Sequence, residues 1–149
     1  MTVAAVNMPV EALHRDNDFK LLRTHEDPAS NTYWSFMHSH QFSRDASYRP
    51  CFSVPLMKEM REFLKRMADR LTMRSSNSDG SVAHLVIASD ANVFNLGGDL
   101  DLFCRLIREQ NRDHLLAYAR LCVEGVYEIH AALNRNAHTV ALVQGDALG

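Results

Sequence analysis

The residues of this sequence best suited to chemistry lie on two glycine turns. The first turn closes the run Val86-Ile87-Ala88-Ser89-Asp90-Ala91-Asn92-Val93-Phe94-Asn95-Leu96-Gly97-Gly98-Asp99-Leu100. An apolar strand ends, the chain turns on two glycines, and Asp99 is placed to cap a helix. Backbone N–H groups beside a helix N-terminus lie at the positive end of its dipole. Glycine also lets a ligand approach the main chain with no Cβ in the way. The unit suits a developing negative charge, such as the enolate oxygen of a thioester. The plain alternative is an ordinary turn followed by an Asp cap. The second turn follows Thr139-Val140-Ala141-Leu142-Val143-Gln144 and reads Gly145-Asp146-Ala147-Leu148-Gly149. Two strand ends, each with a glycine-rich turn, could place one backbone donor each on a single oxygen, the convergence an oxyanion hole needs.

Other groupings are weaker. His38-Ser39-His40 places two imidazoles on one side of a strand, but no carboxylate or thiol stands at ligand spacing, so no metal site is expected. Glu124 and Glu128 are spaced i,i+4 on a helix and invite an acid/base reading. With Val123, Val126 and Ile129 as the buried stripe, both carboxylates are expected to face solvent. Lys58, Lys65, Arg66 and Arg70 form either a solvated helix face, the favoured reading, or a basic face for an acidic carrier protein or a CoA phosphate.

The elements that must hold these turns follow from pattern. Residues 1–18 are polar and aperiodic and read as a flexible arm. Residues 19–24 read as a strand, 26–31 as a turn cluster and 32–38 as a second strand, together a hairpin. Residues 39–50 read as an irregular loop. Ser53 caps a helix with Pro55 in its first turn, and Leu56, Met57, Met60, Phe63, Leu64, Met67 and Leu71 follow at helical spacing. Residues 75–80 read as a flexible loop and 82–88 as a buried parallel strand. Asp99 starts a helix bearing Leu102, Phe103, Leu106 and Ile107. Asn111 or Asp113 starts another bearing Leu115, Leu116, Ala119, Cys122, Val123, Val126, Ile129 and Leu133. Residues 139–143 read as a final buried strand. Repeated β–α crossovers predict an α/β fold with parallel strands.

The totals exclude several classes. A length of 149 residues fits one domain or the first part of a larger one. A formal charge of −2 gives no basic field for nucleic acid. No apolar run is long enough for a membrane span, and the N-terminus lacks the basic and apolar regions of a signal peptide. Cys51, Cys104 and Cys122 are an odd, widely spaced set that matches no zinc or disulfide pattern. Cys104 and Cys122 fall on apolar helix faces and read as small buried hydrophobes. A reducing cytoplasm is the default. The second turn comes at the end of the chain, where an active-site loop would normally begin. The sequence therefore reads as an N-terminal arm over 1–18 and the N-terminal part of a catalytic domain over 19–149, incomplete at its C-terminus.

These motifs support a resemblance. The first turn resembles the crotonase (enoyl-CoA hydratase/isomerase) superfamily pattern of Phe, a short gap, Gly, a small residue, Asp and an aliphatic. The second resembles the start of that family's Gly-x-Ala-Leu-Gly-Gly-Gly turn. More narrowly, several segments resemble the diffusible-signal-factor synthase branch: Tyr33-Trp34, Met37-His38, Arg49-Pro50-Cys51-Phe52-Ser53, Ser89-Asp90, Asn95-Leu96-Gly97-Gly98-Asp99-Leu100-Asp101-Leu102-Phe103-Cys104 and Val143 to Gly149. The resemblance spans about residue 18 to the end. It implies the crotonase-like superhelix of repeated β-β-α units, with Gly98 as one oxyanion donor. The second donor would be the residue after Gly149. The family's acid/base glutamates fall outside this sequence. Cys51, Phe52, Ser53, Leu96, Gly97, Gly98 and Gly149 are the implied substrate-binding residues. The implied activity dehydrates a 3-hydroxyacyl chain to a cis-2-enoyl chain and hydrolyses the thioester, releasing a fatty-acid quorum-sensing signal. The alternatives are an ordinary enoyl-CoA hydratase or isomerase and a non-catalytic binding module of the same fold. The resemblance implies no cofactor beyond the thioester carrier, which is acyl carrier protein or coenzyme A. It also implies a homo-oligomer, a trimer by family, and a possible sensor-kinase partner. On this reading residues 1–149 alone carry no dehydratase or thioesterase activity.

Overall fold

The computed structural model describes residues 19–39, 45–75 and 81–148. The arm expected over 1–18, His40, the tip of the 75–80 loop and Gly149 lie outside the described residues.

The described chain is α/β. Strands β1 (Leu22–Asp27) and β2 (Thr32–Met37) form the expected antiparallel hairpin around Pro28–Asn31. Helix α1 (Val54–Ser75) follows, then β3 (Ala83–Ser89), helices α2 (Leu100–Arg108) and α3 (Arg112–His130), a short 3-10 turn (Ala132–Asn134), and β4 (Ala137–Ala141). The four strands lie in chain order in one mixed sheet. β2 runs parallel to β3, and β3 runs parallel to β4. The C-terminal ends of β3 and β4 therefore share one edge of the sheet, and the chain leaves both strands toward the same place.

Helix α1 forms the centre of the core. Its seven expected apolar positions, Leu56 to Leu71, are all buried, packed with Leu22, Tyr33, Met37, Leu85 and Ile87 of the sheet. Its start is as the sequence predicts. The Ser53 hydroxyl accepts a long cap contact from the Leu56 N–H at 3.4 Å, with Pro55 in the first turn. Asp99 caps α2 through Leu102 N at 3.0 Å, and Asn111 caps α3 through His114 N at 3.3 Å.

Four expectations need correction. β1 starts at Leu22 rather than at residue 19, because the Glu59 carboxylate of α1 takes the N–H groups of Lys20, Leu21 and Leu22 at 2.7–3.1 Å. Those donors are therefore unavailable to a ladder. The last strand is Ala137–Ala141, not 139–143, and it is not buried: Val140, Leu142 and Val143 are 44%, 48% and 54% exposed. Among the described residues β4 has a neighbour on one side only. Helix α3 is rotated from its expected stripe. Val123 and Val126 are 68% and 66% exposed, whereas Tyr118 and Gly125 are buried. Gly125 lets α3 approach α1 so closely that a Cβ there would stand 3.1 Å from Met57 Cε. Finally, Cys104 is exposed and Ile107 faces out with it, because α2 buries only Leu106 among its residues.

Candidate active site

The two glycine turns dock on one another. Segment 94–98 runs between loop 50–52 on one side and turn 145–148 on the other and is bonded to both. Phe94 N and Asn95 N both donate to Asp146 O, at 2.9 and 3.2 Å, and Leu148 N donates back to Asn95 O at 2.9 Å. These bonds make a parallel bridge between Asn95 and Ala147. Leu96 N donates to Pro50 O at 2.8 Å, and Phe52 N donates to Gly97 O at 2.8 Å, pairing Phe52 with Gly98. Gln144 reinforces the contact, its side-chain amide donating to Ser89 O at 3.0 Å. Gly145 is required here: its φ is +65°, and a Cβ would stand 2.3 Å from Asn92 O.

Gly98 stands apart in this ladder. Among the described residues its N–H meets no acceptor, although every neighbouring N–H from Phe94 to Asp99 does. Its Cα is open as well, since an added Cβ would meet only Tyr118 Oη, at 3.6 Å. Gly97 is the member of the pair whose backbone calls for glycine, with φ +83°. A free, partly exposed main-chain donor at the entry to a capped helix is the arrangement that can stabilise an anionic oxygen.

Sequence reasoning gave no role to three residues that fix this geometry. Tyr118, buried on α3, accepts the Asp99 N–H at 2.8 Å and donates to Phe52 O at 2.7 Å, tying the residue after Gly98 to the bridge partner of Gly98. Burial pushes its hydroxyl up to a pKa of about 12, so it remains a phenol. The other two are Asn95 and His38, 1% and 0% exposed. Asn95 Oδ1 accepts the Gly97 N–H at 2.8 Å, and its Nδ2 lies 3.1 Å from His38 Nε2. His38 Nδ1 lies 2.8 Å from Tyr48 Oη. Burial pulls the imidazole pKa down to about 4, against a smaller upward pull from Asp90. With both ring nitrogens engaged, His38 is closed to a metal, and among the described residues no cluster of ligands could hold one. One signal for the pair was in the sequence: a His at the end of one strand and an Asn beside a Gly-Gly turn after the neighbouring strand.

The other anticipated residues divide. Phe52, Leu96, Gly97 and Gly98 come together in the ladder. Cys51 is buried beside it, and burial raises its thiol pKa. The Ser53 hydroxyl is engaged at the helix cap. Glu124 and Glu128 both pair with Arg61, at 2.9 and 3.6 Å, rather than simply facing solvent. Lys58, Lys65 and Arg70 are exposed and Arg66 half-buried, as the favoured reading of a solvated face has it, with Arg66 paired to Glu62 and Arg70 to Glu26.

Behind the glycine ladder lies an apolar cavity of about 210 Å³. Phe52 and Phe94 form the wall nearest the turns. Met37, Ile87 and Ala141 of the sheet, Met57, Met60 and Leu64 of α1, and Cys122, Gly125, Val126 and Ile129 of α3 complete it, with Arg61 the one charged residue in its lining. Such a cavity accepts an alkyl chain more readily than a polar ligand. No helix among the described residues is long and apolar enough to cross a membrane. No protein-family model matches the chain, and no curated protein matches it significantly.

Proposed function

We propose that this chain belongs to a crotonase-fold acyl-thioester enzyme of the diffusible-signal-factor synthase type. In this reading the mixed sheet and its helices are units of the β-β-α superhelix. The substrate is a 3-hydroxyacyl chain on acyl carrier protein or coenzyme A. The observation that carries the proposal is the Gly98 N–H, unpaired among the described residues, on the first of two interlocked glycine turns and backed by an apolar cavity.

The Gly98 N–H binds the thioester oxygen, and its hydrogen bond strengthens as that oxygen becomes an enolate. The acyl tail occupies the cavity behind Phe52 and Phe94. Loss of the α proton and of the 3-hydroxyl as water gives the cis-2-enoyl thioester, and addition of water across the thioester bond releases the free acid. Both proton transfers need a carboxylate acid/base. Glu124 and Glu128 are not assigned that role, because Arg61 engages both.

The test is to purify the native protein from its own cells and supply matched 3-hydroxyacyl thioesters of acyl carrier protein and of coenzyme A. Release of a cis-2-enoyl free acid from the carrier-protein substrate is expected. An enoyl-CoA product with no hydrolysis would favour an ordinary hydratase. Thioester binding without turnover of either substrate would favour a binding module.

A further inference from the structure

Asn95 is where both glycine turns meet. Its main chain pairs with the second turn through Asp146 O and Leu148 N, while its side chain holds the first through the Gly97 N–H. The side chain has a fixed sense. Because Oδ1 accepts from Gly97, Nδ2 faces His38 Nε2 at 3.1 Å and Met37 Sδ at 4.0 Å, and it can only donate. His38 Nε2 must then accept, which leaves the single ring proton on Nδ1, directed at Tyr48 Oη 2.8 Å away. The opposite ring tautomer would set two donors against each other in a site closed to water, where an unmet donor is expensive. Among the described residues the charge that acts on the ring is Asp90, which is joined to Arg23 by two contacts of 2.6 and 2.8 Å.

We propose that the buried His38–Asn95 pair is the positioning element of both glycine turns, and that it works only with a neutral His38 protonated on Nδ1. The pair touches no substrate. It acts through Gly97 and Leu148, which set where the Gly98 N–H points. Its consequence for turnover rests on the thioester reading above, whereas the geometry does not.

The experiment is ¹⁵N NMR of histidine-labelled full-length protein at neutral pH. A His38 ring protonated on Nδ1 is expected, and one protonated on Nε2, or on both nitrogens, overturns the proposal. Asn95→Asp sets a carboxylate against Nε2 and is expected to bring a second proton onto the ring at neutral pH; a ring that stays neutral in that variant counts against the pair. In His38→Leu the Gly97 and Leu148 amides are expected to exchange about tenfold faster, with Leu85 in the sheet unchanged. His38→Gln, whose side-chain oxygen can accept from Asn95, should restore them. Equal acceleration at Leu85, or none at Gly97, reduces His38 to a packing residue and overturns the proposal. If His38→Leu fails to fold, the tautomer and Asn95→Asp still decide. In an active protein His38→Leu should lower kcat and leave KM near its original value. No turnover in any form, with the NMR result as expected, sinks the thioester reading and leaves the positioning pair standing.

Discussion

Replacing Gly145 by Ala tests the docking of the two turns most directly. The added Cβ meets Asn92 O at 2.3 Å, Val93 Cα at 3.1 Å and Asn92 C at 3.2 Å, all main-chain atoms with no flexible end to swing away. The backbone is also at φ +65°, where an L side chain costs about 1–2 kcal/mol before any clash. The turn must therefore lift off the first. Lifting breaks the contacts of Phe94 N and Asn95 N with Asp146 O and of Leu148 N with Asn95 O, each worth about 0.5–1.5 kcal/mol net. Water can reach the released groups, because turn 142–148 is exposed. The expected loss is thus about 2–4 kcal/mol if the turn unfolds with the domain, and less if it detaches alone. Urea unfolding followed by tryptophan fluorescence separates the two, since Trp34 lies on β2, away from the turn. Amide exchange reads the turn itself. Phe94, Asn95 and Leu148 should exchange much faster in the variant. An unchanged urea midpoint together with unchanged exchange at those three amides would refute the docking of the turns.

Other expectations follow from the same contacts. Tyr118→Phe removes the hydroxyl shared by Asp99 N and Phe52 O and should cost about 1–3 kcal/mol by urea unfolding, whereas Gly98→Ala, whose Cβ has room, should fold normally. The folded-state pKa of His38 is about 4, below the usual value near 6.5, so the unfolded chain binds the extra proton first as pH falls. Its contribution is therefore complete above about pH 6.5 and is lost as pH falls toward 4, up to about 3 kcal/mol. His38→Gln should flatten that part of the stability–pH curve, and an identical slope in the variant would show that another group sets it. Gly125→Leu would intrude on Met57 and shrink the apolar cavity, so an active protein should shift toward shorter acyl chains in a chain-length series.

What the sequence made legible is what short-range chemistry decides. The hairpin around Pro28–Asn31, the Ser53, Asp99 and Asn111 caps and the apolar stripe of α1 each depend on residues within a few positions of one another. What it concealed depends on distant partners. The start of β1 is set by Glu59, which reaches across from α1. The face of α3 that is buried is set by Gly125 meeting Met57, a close approach that overrides the larger apolar residues Val123 and Val126. That each glycine turn follows a parallel strand was legible; that β3 and β4 are neighbours, so that the turns dock, comes from the sheet pairing. Tyr118 was not legible, because it looks like any residue on an apolar helix face until its hydroxyl is seen between Phe52 and Asp99.

A polar pair inside an apolar core is a poor way to gain stability, because apolar residues of similar shape can often replace one without loss. His38 and Asn95 lie deep in the protein, and among the described residues no buried side-chain polar atom lacks a partner. What an apolar replacement could not supply is direction. The Gly97 N–H needs an acceptor at one point, and it falls between the isolated bridges of Asn95 with Ala147 and of Gly98 with Phe52 that hold the first turn beyond the β3 ladder. Asn95 provides that acceptor and, through its main chain, ties the same point to the second turn. His38 then fixes which way the amide faces. Among the described residues the four other donors of the first turn from Asn95 to Asp99 are spent on Asp146 O, Pro50 O, Asn95 Oδ1 and Tyr118 Oη, and the Gly98 N–H meets no acceptor.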